Sequence, residues 1–181
     1  MADAKSAALG ASRSDRDERV QELFDRAGIG IAQIDTAGRY LLVNERYCQL
    51  LERSQGELLR ARIQDFTHAD DLATSIDAFI GVMESGEPAL IEQRHVLPDG
   101  SSRWVSNNAS LARPLEGQAP YVLILAQDIA TLKKTEGALL RAQSDLRMLL
   151  DAAAEGFFCV DREGLATLCN VAFLRLLGYE R

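Results

Sequence analysis

No apolar run in the chain approaches the roughly 20 residues that a membrane-spanning helix needs. The first nineteen residues, MADAKSAALGASRSDRDER, hold no apolar stretch of the kind that opens a secretory leader. A cytoplasmic location and no membrane partner are therefore expected. Basic residues are the minority, 20 Lys and Arg against 27 Asp and Glu, for a net charge of -7. Nucleic acids and anionic surfaces attract clustered Lys and Arg, so no nucleic-acid partner is expected either. Cysteine is sparse: Cys48, Cys159 and Cys169 are odd in number and lack metal-ligand spacing. Reduced, mostly buried thiols are the expectation. Cys48, between Tyr47 and Gln49, has nothing near it to lower its pKa, which argues against a nucleophile. Histidine occurs only at His68 and His95. The sequence has no nucleophile with a base, no clustered metal ligands and no phosphate-cradling glycine loop, so no catalytic residues, no metal and no enzymatic activity are expected.

What is present is enough apolar surface, 47% of 181 residues, for one complete domain and part of another. A repeat divides it. Phe24 to Ser54 lies over Leu150 to Glu180 without a gap at an offset of 126, and nine of the 31 positions are identical: Asp25/Asp151, Ala27/Ala153, Gly30/Gly156, Asp35/Asp161, Gly38/Gly164, Leu42/Leu168, Asn44/Asn170, Leu50/Leu176 and Leu51/Leu177. Unrelated windows of ordinary composition would share about two. In the first copy, alternation after Gly30 predicts a strand, Asp35 to Gly38 a turn, and Tyr40 to Val43 a second strand, which together make a hairpin. Asn44 precedes Tyr47, Leu50 and Leu51 at helical spacing and is expected to cap a helix, as is Asn170 in the second copy.

Ahead of the hairpin, Ser14 is a candidate cap with Asp17 three residues on, and Val20, Leu23, Phe24 and Ala27 predict an amphipathic helix. After it, Leu72, Ile76, Phe79, Ile80 and Met83 predict a helix closed by Gly86 and Pro88. Three more strands are predicted over Ala89 to Leu97, Arg103 to Ala112 and Tyr121 to Gln127, joined by a Pro98-Asp99-Gly100-Ser101 turn and a Glu116-Gly117 turn. The last strand is apolar on both faces, which calls for cover on its outer side by a helix or a partner chain.

At this point the runs THADDLATSIDAFIGVMESGEP and RHVLPDGSSRWVSNNASLARPLEGQAPYVLILAQDIATLKKTEGAL resemble the second half of a PAS domain of the S-box type found in bacterial signalling proteins. The shared marks are the Asp-Gly turn, the Arg-Trp pair, the glycine turn and the terminal Asp-Ile-x-x-x-x-Lys signature. The resemblance implies an α+β PAS fold: a five-stranded antiparallel sheet with short flanking helices, an N-terminal amphipathic helix and a C-terminal coiled-coil linker helix. It divides the chain into a disordered N-terminus over 1–13, a PAS domain with its N-terminal helix over 14–131, a signalling linker helix over 132–150, and the truncated start of a second PAS domain over 151–181. It also implies sensing or dimerisation upstream of an effector, such as a histidine kinase or a cyclic-dinucleotide synthase, beyond Arg181.

If the strands alternate, Gln93, His95, Val105, Asn107, Ala109, Ala126 and Asp128 share the inner face, with Trp104, Leu123 and Leu125 outside. Gln93, His95, Val105, Asn107 and Ala126 are thus the candidate contacts to a small-molecule ligand. The alternative is a hydrogen-bonded core histidine and a structural amide, in a domain that binds no ligand and only holds dimer geometry. No cofactor is expected. Light-sensing relatives carry a reactive cysteine where this chain has LLRARIQDF, and haem-binding relatives a histidine where Leu72 to Ser85 has none, which argues against covalent flavin and haem. His68, Asp70 and Asp71 resemble the segment that opens a helix in many members, and three neighbours on one turn are a poor metal set.

Leu132, Leu139 and Leu146 recur every seven residues, with Thr135, Ala142 and Leu149 three later, and predict a short parallel coiled coil, made marginal by Gly137. Asp128 and Thr131 are expected to end the last strand and start this helix; Ala130 stands where relatives have threonine. Signal coupling and homodimerisation are assigned to Trp104, Leu123, Leu125, Asp128, Thr131, Leu132, Leu139 and Leu146. A passive spacer is the alternative for the linker.

Overall fold

A computed structural model describes residues 18–113 and 119–179. The predicted disorder over 1–13, the Ser14 cap with Asp17, and the Glu116-Gly117 turn fall outside them. The chain divides after Ala130 into two units.

In the first unit, residues 18–26 form a helix, α1. A hairpin follows, β1 (Gly30–Ile34) and β2 (Tyr40–Val43). Its turn is built by Asp35, whose Oδ1 accepts from Ala37 N and Arg39 N at 2.8 Å each, and by Gly38 at φ 80°, a left-handed conformation that glycine adopts without Cβ strain. Then come α2 (Glu45–Leu51), α3 (Gln55–Leu58), a 3-10 helix (Ile63–Phe66), α4 (Ala69–Ser85), β3 (Ala89–Val96), β4 (Ser102–Ala112) and β5 (Tyr121–Asp128). A Ser54–Glu57 capping box starts α3, and Gly86 at φ 75° closes α4. The strands form one antiparallel sheet in the order β2-β1-β5-β4-β3. That order sets the first hairpin beside the last strand, so residues far apart in the chain share one inner face.

The core lies between that face and the helices. Ala32, Ile34, Val105, Ala109, Val122, Ile124 and Ala126 meet Leu50, Leu51, Leu58, Ile63, Phe66 and Val82. Tyr40 and Tyr47 share a buried hydroxyl–hydroxyl hydrogen bond of 3.0 Å, and Tyr40 stacks on Phe66 with ring centroids 6.4 Å apart. Gly30 is required by closeness of packing: a Cβ there would stand 3.2 Å from Ala126 O and from Tyr47 Cα.

The second unit begins with most of α5 (Ala130–Ala152) and continues with the hairpin β6 (Phe158–Val160) and β7 (Ala166–Cys169), then α6 (Val171–Leu176). The repeat is structural as well as sequential. Asp161 Oδ1 accepts from Glu163 N and Leu165 N at 3.1 and 2.8 Å, Gly164 sits at φ 84°, and a Cβ on Gly156 would meet Phe173 Cα at 3.1 Å. Among the described residues, no helix is long and apolar enough to cross a membrane.

Three expectations are corrected. Asp128 has the parity of the inner face, as the partner of Val105, but the strand ends there and its side chain is exposed. Of the thiols, Cys48 and Cys159 are half-buried, while Cys169 lies on β7, which is exposed throughout among the described residues. In α1, Val20 and Leu23 are exposed although they belong to the predicted apolar stripe; of that stripe only Phe24 and, just past the helix, Ala27 are partly covered.

Candidate functional site

The inner face of β3 and β4 carries a polar cluster inside an apolar core. Strand alternation turns Gln93, His95, Val105 and Asn107 inward, and all four are buried. Antiparallel register places Gln93 opposite Val105 and Asn107 opposite Ala126. The imidazole sits between two amides, with Nε2 3.2 Å from Gln93 Nε2 and 3.4 Å from Asn107 Nδ2. Burial holds the His95 pKa down at about 4, against histidine's ordinary 6.5, while the Phe66 backbone and the Asp71 charge act the other way. His95 is therefore neutral at physiological pH. Gln93 Oε1, Asn107 Oδ1 and His95 Nδ1 are buried with no hydrogen bond of normal geometry among the described residues.

Next to these side chains lies a cavity of about 20 Å³, bounded by the 3-10 helix, α4 and the sheet. Gln93 and Asn107 form its polar wall; Ile63, Ile76, Phe79, Ile91 and Ile124 form its apolar one, with Gln64 and Ser75 between. That volume holds about one water. Drug-sized ligands occupy several hundred Å³, so a larger guest requires α4 to move outward. Val105 and Ala126 belong to the same buried face without bordering the cavity. Sequence reasoning missed Ser75 and Phe79 as walls; the signal was available in the helical spacing of Ser75, Ile76 and Phe79.

The opening of α4 is tied to β3. Asp71 Oδ2 accepts from Arg94 N at 2.7 Å and from Arg94 Nε at 2.9 Å, its Oδ1 accepts from Arg94 Nη2 at 2.7 Å, and Asp70 accepts from Nη2 at 3.1 Å. Hydrogen bonding by Arg94 keeps the Asp71 carboxyl below the usual carboxylate range. His68 is the helix cap: its Nδ1 accepts from Asp70 N at 3.3 Å. The two aspartates thus serve an ion pair, and among the described residues no group of three or more His, Cys, Asp or Glu is placed to hold a metal ion. Burial pushes the Cys48 thiol up.

On the outer face, Trp104, Leu123 and Leu125 are half-buried, and the Arg94 guanidinium lies 5.4 Å from the Trp104 ring centroid. β5 passes directly into α5. Asp128 Oδ1 accepts from Ala130 N at 2.8 Å, and Ile129 N donates to Trp104 O at 3.0 Å. Arg103, absent from the candidates above, joins α2 to this junction: Nη1 donates to Leu50 O at 2.7 Å, Nη2 to Glu52, and Nε stands 3.7 Å from Asp128 Oδ2. Beyond it Thr131, Leu132, Leu139 and Leu146 are all exposed on α5.

Two asparagines do more than cap. Asn44 Oδ1 accepts from Ile31 N (2.8 Å) and Tyr47 N (2.9 Å), and its Nδ2 donates to Phe24 O (2.9 Å) and Ile29 O (3.1 Å). Asn170 Oδ1 accepts from Phe157 N (2.8 Å) and Phe173 N (3.0 Å), and its Nδ2 donates to Leu150 O (2.8 Å) and Glu155 O (2.9 Å). Every partner recurs at the repeat offset, so each asparagine binds the end of a preceding helix to a hairpin and to a following helix.

Comparison with known families agrees with this architecture. A family model described as "PAS fold" matches residues 18–129, more than half of the chain. The chain belongs to the PAS family. A second model, described as a PAS domain, matches residues 144–181, so the repeat is a second PAS match. Among curated relatives, the probable diguanylate cyclase DgcE of Escherichia coli is 30% identical over 68% of this chain and 11% of its own length. The sensor histidine kinase TmoS of Ectopseudomonas mendocina is 21% identical over 77% of this chain and 14% of its own length. The chain thus spans only a small part of these relatives. Among solved structures, the PAS domain of an HTR-like protein from Haloarcula marismortui superposes with a TM-score of 0.57 at 25% identity, covering 68% of this chain and 99% of that one. The PAS units here are accordingly related to the sensor regions of two-component and cyclic-dinucleotide signalling proteins.

Proposed function

We propose that residues 18–129 form a cytoplasmic, non-catalytic input module that responds to a small molecule at the inner face and passes the response through α5 to an effector domain. The observation that carries this reading is the seam at Asp128 and Ile129. There the strand bordering the buried polar cluster runs straight into an exposed helix, with bonds from Ala130 N to Asp128 and from Ile129 N to Trp104 O. A ligand that favours one arrangement of β4 and β5 thereby biases the direction of α5, in proportion to its different affinities for the two arrangements. The polar contacts proposed are Gln93 and Asn107, which wall the cavity; His95 holds their amides from behind, and Val105 and Ala126 back the same buried face without bordering the cavity. No haem or covalent flavin is proposed, since α4 carries no histidine and residues 58–66 no cysteine.

Homodimerisation along α5 is part of the proposal. Leu132, Leu139, Leu146 and Leu149 are 58%, 69%, 57% and 71% exposed, a heptad seam left open among the described residues. The effector is proposed to be of the classes named in the relatives, a histidine kinase or a diguanylate cyclase. The small cavity favours a second reading, a PAS unit that binds nothing and only sets dimer geometry. Sedimentation equilibrium on the whole chain tests the coil. Leu139→Glu and Leu146→Glu are expected to weaken the dimer at least about tenfold, by placing charge at two successive a positions. Unchanged dimer constants would remove α5 from the mechanism.

A further inference from the structure

The polarity of the inner-face cluster is set from one end. A neutral imidazole offers a single lone pair, and where its Nε2 accepts, the proton sits on Nδ1. Both neighbouring amides direct a nitrogen at Nε2, Gln93 at 3.2 Å and Asn107 at 3.4 Å. A planar amide that points its nitrogen one way points its oxygen another. Gln93 Oε1 and Asn107 Oδ1 are left buried without a hydrogen-bond partner among the described residues, and both residues wall the cavity. No residue of that wall is ionisable.

The geometry points to a site for an uncharged ligand that donates hydrogen bonds, an alcohol or primary-amide head on a short apolar body, held by Gln93 Oε1 and Asn107 Oδ1. This rests on the reading of the inner face as the input site and adds the class of ligand. A carboxylate would set its oxygens against two amide oxygens and lose its hydration with no cation in return. An alkylammonium could donate, but its charge would enter a space walled by Ile63, Phe79 and Ile124 without a counter-ion. A hydroxyl or amide N–H satisfies the oxygens and carries no charge, while its apolar body lies against the isoleucines. Because the cavity of about 20 Å³ takes little more than the head group, the body must displace Ser75, Ile76 and Phe79, all on α4.

The test titrates the whole chain with propan-1-ol, propionamide, propionate and propylammonium, and follows the side-chain amide NMR signals of Gln93 and Asn107. Propan-1-ol and propionamide are expected to give saturable shifts with dissociation constants at least about tenfold below those of the two ions. Asn107→Leu, read at the Gln93 signals, should abolish that preference, and Gln93→Met, read at Asn107, is the second variant should the first fail to fold. Tighter binding of propionate would overturn the proposal, because it would place the amide nitrogens at the cavity; the input-site reading would survive. Absence of a saturable shift with all four would overturn both the ligand class and the ligand-binding part of the proposed function, leaving the dimer-geometry reading.

Discussion

Asn44 is wholly buried, and each of its polar atoms bonds twice: Oδ1 to Ile31 N and Tyr47 N, Nδ2 to Phe24 O and Ile29 O. Only the bond from Tyr47 N is a helix cap. Aspartate caps helices as well as asparagine does, so a residue that merely capped would tolerate the exchange. A carboxylate cannot donate to Phe24 O or Ile29 O, and it would bring charge into a buried site. Asn44→Asp is therefore expected to destabilise the first unit by about 3 kcal/mol, the cost of two unsatisfied buried carbonyls and an unpaired charge. Urea unfolding measures this; a loss below about 0.5 kcal/mol would reduce Asn44 to a cap. The repeat marks these positions as shared and capping chemistry explains the residue type. The two donor bonds were not legible, because their acceptors lie 20 and 15 residues back and only the folded chain brings them together.

Among the elements, glycines separate close packing from simple flexibility. A Cβ on Gly30 would press to 3.2 Å on the backbone of Ala126 and Tyr47, which would have to give by a few tenths of an ångström, so Gly30→Ala should cost about 1–2 kcal/mol in strain on β1 and α2. Gly81 in α4 has nothing within 4 Å of a built Cβ, and Gly137 in α5 meets only the far end of Arg141 at 3.9 Å. Alanine at either place should stabilise its helix by up to about 1 kcal/mol, since glycine in a helix interior gives up more backbone entropy. For Gly137→Ala the measurement is circular dichroism against temperature; an unchanged or lower midpoint would mean that α5 needs a weak point there. The helices and strands were legible from period and turn chemistry. The capping of α4 by His68 and its tie to Arg94 were not, since ion-pair partners 23 residues apart carry no local pattern.

For the molecule as a whole, His95 makes stability depend on pH. Its folded pKa is about 4 against 6.5 when unfolded, so between these values the unfolded chain binds the extra proton and stability falls as pH falls. The contribution is fully present above about pH 6.5 and is lost by about pH 4, a change of roughly 3 kcal/mol. Asp71, whose carboxyl lies below its ordinary value, adds a loss at still lower pH. Denaturation midpoints between pH 7 and 4 should show the slope in the native chain and lose it in His95→Gln. Equal slopes in both would show that the imidazole is not the group responsible.

The sequence by itself determined the repeat at 126, the hairpin turns at Asp35 and Asp161, the strand faces that turn Gln93, His95 and Asn107 inward, and the helix α5 with its seven-residue leucine spacing, because each follows from local periodicity or from one residue's backbone preference. Tertiary structure alone decided which of those residues are sheltered. Leu50 and Leu51 are 6% and 0% exposed, whereas their counterparts Leu176 and Leu177 are 75% and 57% exposed, although sequence and local fold are shared. The difference lies in β3, β4 and β5, which close over the first hairpin and have no counterpart among the described residues of the second unit. The size of the cavity and the unpartnered oxygens of Gln93 and Asn107 were likewise decided by how far α4 and the 3-10 helix settle onto the sheet, a balance of packing among residues distant in the chain.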